Sequence, residues 1–177
     1  MSSLVPARYW DACTFIAMFR GEQDRADDCR LLLNEARSGK HLAVTSAFTI
    51  AEVTGKRSDA DHEDQKTRIE RFFFNPYFEI VPVDRFLATA ARDLVWDYGI
   101  SATDAIHIAS AHRRRCAQFY TFDIQLLALD GKVPMLSFLE PRWMGQAPLP
   151  LPSTETPMIG TGAITSTDPL AASDEEE

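Results

Sequence analysis

The sequence predicts an α/β protein, a three-layer α/β/α sandwich with a central, mostly parallel sheet. Short apolar segments of strand length alternate with segments whose apolar residues recur at helical spacing. Glycine, proline and asparagine separate several of these segments. Strands that are separated by helices pair in parallel, because the chain needs a crossover to return to the same edge of the sheet.

Six elements are predicted in the first half of the chain. The helix over residues 24–37 has its apolar residues on one face, and Gly39 ends it. Asn75 and Pro76 break the last helix of this half. The elements are a strand over residues 8–10, a helix from residue 11, a helix over 24–37, a strand over 41–44, a helix over 46–53 and a helix over 61–74.

Six further elements follow. Residues 78–83 alternate between apolar and polar side chains, which is typical of a strand. Gly99 ends the next helix, and we expect Trp96 in that helix to be in the core. The elements are a strand over residues 78–83, a helix over 85–96, a helix over 101–116, a strand over 119–122, a short helix over 124–129 and a final strand over 133–138.

The charge is unevenly distributed along the chain. The net charge of the 177 residues is −8. Residues 144–177 hold six acids and no Lys or Arg, so residues 1–143, with 20 acids and 18 bases, are nearly neutral. The last 34 residues are also rich in proline, serine and threonine. We therefore expect an ordered domain over residues 1–143 and a disordered, acidic tail over residues 144–177.

Composition excludes several classes of protein. No apolar stretch approaches the roughly 20 residues that a membrane helix needs, and no signal peptide is recognisable. The chain has an odd number of cysteines, and they are widely spaced: Cys13, Cys29 and Cys116. This pattern fits free thiols better than a disulfide framework or a zinc site. The expected location is the reducing cytoplasm.

Four acidic residues are predicted to meet at one edge of the sheet. Asp11 and Asp123 each follow a strand, Asp104 lies in the first turn of a helix, and Glu52 lies in the helix after the second strand. In parallel sheets, sites form at the carboxyl ends of the strands. The four side chains are therefore candidates for one shared site.

Each acid also has a structural interpretation. Asp11 and Asp123 can be helix N-caps, and Ser101 with Asp104 resembles a capping box. Glu52 precedes Lys56 by four residues, which is typical of a surface ion pair. Four carboxylates at one edge, however, repel one another unless a cation is present. Hard oxygen ligands favour Mg²⁺ or Mn²⁺, which suit phosphodiester hydrolysis.

Four segments of this sequence resemble the acidic motifs of PIN-domain nucleases, and most of all those of VapC-like toxin ribonucleases. They occur in the order of the family and extend over about residues 8–141. The segments are YWDACTFI (9–16), TSAFTIAEV (45–53), TDAIHIA (103–109) and YTFD (120–123).

The resemblance implies a parallel-sheet α/β/α fold and cleavage of single-stranded RNA with Mg²⁺ or Mn²⁺. It makes Asp11 and Asp104 direct metal ligands, and Asp123 a further ligand of the first ion or of a second one. It gives Glu52 the role of orienting a water or binding the metal indirectly. An antitoxin is the implied protein partner, and a homodimer is compatible with the family.

One position departs from the family pattern. Many PIN domains have Ser, Thr or Asn two residues after the first aspartate, whereas this chain has Cys13, a poor ligand for Mg²⁺. Thr14 or Thr121 can supply a hydroxyl group instead. His107, three residues after Asp104, can approach the substrate or be packed and hydrogen bonded within the protein.

Two further questions stay open at the level of sequence. The arginines at 113–115 can bind RNA phosphate or complement the dipole of the helix that they end. The functional alternatives to a toxin are a catalytically inert PIN-like module that binds protein or RNA, and a housekeeping RNA-processing nuclease without an antitoxin.

Overall fold

The computed structural model describes residues 5–54 and 62–145, with only the backbone given at residue 62. The strands are β1 (Ala7–Trp10), β2 (Leu42–Ser46), β3 (Phe78–Val81), β4 (Gln118–Tyr120) and β5 (Ser137–Leu139). The helices are α1 (Ala12–Arg20), α2 (Arg25–Arg37), α3 (Ala47–Glu52), α4 (His62–Phe73), α5 (Arg85–Tyr98), α6 (Ala102–Arg113) and α7 (Ile124–Leu127).

The five strands form one sheet in the order β3-β2-β1-β4-β5. Every pairing is parallel, with Tyr9 of β1 opposite Val44 of β2 and Phe119 of β4. Alternate residues of each strand face opposite sides of the sheet. Tyr9 therefore belongs to the core on one face and Trp10 to the core on the other. The predicted three-layer sandwich with a parallel sheet is confirmed.

Helices cover both faces of the sheet. On the Tyr9 side the core includes Leu87 of α5 and Ile108 of α6. On the Trp10 side it includes Phe15 of α1, which is fully buried among other aromatic rings. Burying an aromatic side chain of this size contributes roughly 2–3 kcal/mol. Among the described residues, no helix is both long enough and apolar enough to cross a membrane.

Several element boundaries differ from the prediction, and three of them do so where the backbone turns. The last strand does not begin at Val133, since Pro134 lies in a turn and Met135 has a φ of 60°, and it covers only Ser137–Leu139. The helix predicted to reach Cys116 ends at Arg113, because Arg115 adopts a φ of 50°. The predicted strand over residues 119–122 begins one residue earlier and ends at Tyr120, before the chain turns into α7.

The prediction that Trp96 lies in the core is wrong. Its side chain is 75% exposed, and the guanidinium of Arg92 lies 5.1 Å from the ring centroid. The buried face of α5 is formed by Leu87 and Ala91 instead. The residues of the predicted tail after Gly145 lie outside the described part of the chain. The boundary between the domain and the tail therefore stays a prediction.

Candidate active site

Asp11 lies at the carboxyl end of β1, where the strand gives way to α1. The pairing of Trp10 with Tyr120 brings β1 beside β4, and the backbone N–H of Asp11 donates to the carbonyl of Tyr120 at 3.0 Å. The Asp11 side chain is 9% exposed, and its Oδ1 accepts a hydrogen bond from the N–H of Ala12 at 2.8 Å. Asp11 is therefore the N-cap of α1, as its structural interpretation predicted.

Two side chains donate to the other carboxylate oxygen of Asp11. Thr121, which is fully buried, donates from Oγ1 to Oδ2 at 2.7 Å, and Cys13 donates from Sγ at 3.1 Å. The Sγ of Cys13 also accepts from the N–H of Phe122 at 3.1 Å, which links the start of α1 to the end of β4. Thr14 donates to the main-chain carbonyl of Asp11 at 2.6 Å and forms no hydrogen bond with the carboxylate. Cys13 and Thr121 thus hold the Asp11 side chain in place.

Asp123 and Asp104 also lie at this edge, and each lies at the N-terminal end of a helix. The Oδ1 of Asp123 accepts from the N–H of Gln125 at 2.7 Å, which caps α7. The hydroxyl of Ser101 accepts from the N–H of Asp104 at 3.1 Å and donates to its Oδ2 at 2.7 Å. The Asp123 side chain is exposed and that of Asp104 is half-buried. Both carboxylates keep an oxygen for which no hydrogen bond is found within the described residues.

The pKa of Asp104 responds to the other two aspartates at this edge. Burial raises the pKa of the Asp104 carboxyl above its ordinary value of 3.8, and the hydroxyl of Ser101 lowers it. The charges of Asp123 and Asp11 raise it further. Asp11, which follows β1, and Asp123, which precedes α7, are therefore close enough to Asp104 for their charges to disfavour its ionised form.

The half-buried Glu52 and the fully buried His107 form a polar pair beside these aspartates. Glu52 Oε2 lies 2.8 Å from Nε2 of His107, and Oδ1 of Asp11 lies 3.8 Å from the same nitrogen. The other ring nitrogen of His107 lies 2.7 Å from the hydroxyl of Tyr9. The imidazole is 1% exposed, so it is hydrogen bonded within the protein. Lys56, the partner that local spacing suggested for Glu52, lies outside the described residues.

The surrounding carboxylates favour the protonated form of His107. Burial lowers the pKa of the imidazole, but the hydrogen bond to Glu52 and the charges of Asp11, Glu52 and Asp104 raise it, and the net result is a pKa above 6.5. A protonated His107 donates from both ring nitrogens. It therefore fixes the direction of the Glu52 carboxylate and partly balances the acidic charge.

Tyr9 is a site residue that the sequence analysis missed. Burial and the charge of Asp11 raise the pKa of its phenol well above 10.0, so the phenol keeps its proton and remains able to hydrogen bond to His107. A signal was present in the sequence, because Tyr9 lies two residues before Asp11 and a strand presents alternate residues on one face. The partner of Tyr9 is 98 residues away along the chain and could not be inferred from that spacing.

The donor set at this edge fits a hard divalent cation. It consists of the carboxylate oxygens of Asp11, Asp104, Asp123 and Glu52, which are ligands that Mg²⁺ and Mn²⁺ prefer. Within residues 5–54 and 62–145, no group of three or more His, Cys, Asp or Glu side chains already stands in a metal-binding arrangement. Coordination by three of these carboxylates therefore requires the side chains to move inward, and Asp104 and Asp123 are exposed enough to do so.

Comparison with known proteins gives one family and several related folds. The family model described as "PIN domain" matches residues 8–132. No curated protein sequence matches the chain.

Among solved structures, a toxin-antitoxin complex from Klebsiella pneumoniae is 20% identical over 73% of this chain and 94% of its own, with a TM-score of 0.55. VapBC2 from Rickettsia felis, bound to a promoter DNA fragment, is 15% identical over 76% and 98% with a TM-score of 0.55. The VapC20 toxin of Mycobacterium tuberculosis, described as cleaving the sarcin-ricin loop, is 15% identical over 68% and 92% with a TM-score of 0.56. These similarities establish the fold.

Proposed function

Because this chain belongs to the PIN domain family, we propose that it is a metal-dependent endoribonuclease and the toxin of a toxin-antitoxin pair. The observation that carries the proposal is the placement of Asp11 and Asp123, at the ends of β1 and β4, close enough for their charges to raise the pKa of Asp104. A protein gains nothing in stability from placing three carboxylates together, whereas a divalent cation requires such a set.

The acids have distinct roles in this proposal. Asp11 and Asp104 bind the ion directly, and Asp123 completes the same site or helps to hold a second ion. When bound, Mg²⁺ or Mn²⁺ lowers the pKa of a water and neutralises charge that develops on the scissile phosphate. Glu52 orients the attacking water with the carboxylate oxygen that His107 does not bind.

The neighbouring residues keep this arrangement in place. Thr121 and Cys13 donate to one oxygen of Asp11. Its Oδ1, which among the described residues accepts a hydrogen bond from Ala12 alone, keeps a free lone pair. Cys13 therefore contributes as a support for Asp11 and not as a ligand. His107, itself fixed by Tyr9, holds Glu52.

The toxin assignment and its partners are supported by the solved structures of similar fold. The three described above are toxins or toxin-antitoxin complexes, and one of them is described as cleaving the sarcin-ricin loop. We extend to this chain an RNA substrate and an antitoxin partner, and the homodimer stays an expectation from the family resemblance. An antitoxin gene in the adjacent reading frame is the expected genetic context, and its absence would favour a housekeeping RNA-processing nuclease.

Cleavage of single-stranded RNA by the purified full chain tests the proposal. We expect cleavage with Mn²⁺ or Mg²⁺ and none with EDTA. Asp11→Asn and Asp104→Asn each remove a ligand charge with little change in shape and should reduce the rate by roughly 10²-fold or more. Asp97→Asn, an exposed acid on α5, is the matched control and should cleave at the normal rate.

Unaltered cleavage by both site variants would contradict the assignment of the site. Complete absence of metal-dependent cleavage in the wild-type chain would favour the inert binding module instead.

A further inference from the structure

A second cleft lies at the amino edge of the sheet, opposite the four acids. Its volume is about 1070 Å³, and it is bordered by Ala7 at the start of β1, Leu42 at the start of β2 and Tyr77 just before β3. We call it the basic cleft. The acids lie at the other end of the same strands, about 15 Å away for strands of four or five residues.

Four arginines and no acidic residue line the basic cleft. Arg113 is paired with Asp84 at 2.8 Å, and Arg114 with Glu79 at 2.6 Å. Arg37 and Arg115 are both exposed and form no ion pair with any described residue. Their charges are therefore free to meet an anionic ligand.

The wider surroundings keep the cleft positive. Arg8 and Lys40 lie beside it, and both pair with the single carboxylate of Glu35, at 3.8 Å and 3.2 Å. Together with the four arginines, six cations face three carboxylates in this region. The nearly neutral charge of residues 1–143 thus conceals an acidic edge and a basic edge on the same sheet.

The cleft also contains groups that suit a nucleotide. Tyr77 is half-buried and borders the cleft, so the exposed part of its ring is available for contact with a base. His41 forms part of the wall, and neither of its ring nitrogens has a hydrogen-bond partner among the described residues. Arginines together with an aromatic ring are typical of sites for single-stranded nucleic acid.

We propose that the basic cleft binds the phosphate backbone of single-stranded RNA and anchors the substrate on the side of the sheet opposite the cutting site. The inference rests on the proposed ribonuclease function. An acidic protein segment would also be attracted by the arginines, but the tyrosine ring favours a nucleic acid. An RNA long enough to pass around the sheet would contact both edges at once.

Binding can be measured without cleavage and without the metal. In EDTA the four carboxylates repel phosphate, so any binding of a labelled 20-nucleotide oligouridylate to the full chain must occur elsewhere. The test variant is Arg37→Gln/Arg115→Asn, in which Asn tolerates the left-handed backbone at position 115. The control variant Arg92→Gln/Arg142→Gln removes the same charge from exposed positions outside the cleft.

Each phosphate contact to a single strand contributes about 0.7 to the slope of log affinity against log salt. Loss of two contacts should therefore reduce the slope by about 1.4, which is about 25-fold weaker binding at 0.1 M salt. The control should keep both the affinity and the slope of the wild type. Matched thermal melting of the variants shows that the fold is retained.

Three results would overturn the proposal. They are unchanged binding in the cleft variant, equal losses in the cleft and control variants, and tighter binding of a glutamate oligopeptide than of the RNA. The last result would identify an acidic protein as the ligand. Because these measurements use EDTA, they are independent of whether Asp104→Asn abolishes cleavage.

Discussion

Replacing Thr121 with valine tests the hydrogen bond that links the end of β4 to Asp11 at the end of β1. Its hydroxyl donates to Oδ2 of Asp11 at 2.7 Å and accepts from the N–H of Asp123 at 3.0 Å. The side chain is fully buried, so water cannot replace the hydroxyl without rearrangement. Valine has nearly the same shape, and the substitution therefore removes these two hydrogen bonds, together with a long contact of 3.4 Å to Sγ of Cys13, with little change in packing.

The two lost bonds differ in strength. A hydrogen bond to a charged carboxylate contributes about 1.5–3 kcal/mol, and the N–H of Asp123, left without its acceptor, costs about 1 kcal/mol or more. We therefore expect the free energy of unfolding to fall by roughly 3 kcal/mol. Thr121→Ser keeps the hydroxyl and loses one methyl group, which costs about 1 kcal/mol.

Urea denaturation of the metal-free protein measures these differences, provided that the m-value is unchanged. Thr14→Val is the matched control, because its hydroxyl makes a single bond to an uncharged carbonyl and should cost about 1 kcal/mol. If Thr121→Val were no more destabilising than Thr121→Ser, the bond to Asp11 would not hold the acidic edge together.

Two further predictions concern titratable groups away from the acids. Burial, with smaller contributions from Arg8 and Lys40, lowers the pKa of His41 from 6.5 to about 4. The unfolded chain therefore binds a proton more readily than the folded one. The free energy of unfolding should fall by roughly 3 kcal/mol as the pH drops from about 6.5 to 4. His41→Phe, which keeps a ring against Trp10, should remove that part of the pH dependence in denaturation curves, and an identical pH profile would refute it. Burial raises the pKa of Cys29 and Cys116 to about 12 and that of Cys13 higher still, so all three thiols should react with a thiol reagent at pH 8 far more slowly than free cysteine. After unfolding, all three thiols should react at the rate of free cysteine. A thiol that reacts at that rate in the native protein would contradict the prediction.

The parallel sheet and the edge at which the acids gather could be predicted from the sequence. Alternation of strands and helices requires parallel pairing, and Asp11 and Asp123 each follow a strand. Their capping roles were also predictable, because an aspartate at the start of a helix accepts from the first free N–H groups. These features depend on local sequence and on one general rule of topology.

The contacts that hold the acids could not be predicted in the same way. Thr121 reaches Asp11 only because β4 pairs with β1, and local spacing carries no information on strand order. Glu52 pairs with His107, 55 residues away, although the nearer Lys56 was the obvious candidate. Trp96 was misplaced because helical spacing identifies a stripe without showing which stripe faces the sheet.

Titration of the metal-free protein with Mn²⁺ tests the central claim, that the acidic edge binds a divalent ion. Calorimetry should show saturable binding to the wild type and to Asp97→Asn. In Asp104→Asn the amide can still accept from Ser101 but loses the ligand charge, so the affinity should fall by roughly 10- to 100-fold or more. Equal affinity in Asp104→Asn and the wild type, or no saturable binding in any of the three, would contradict the account.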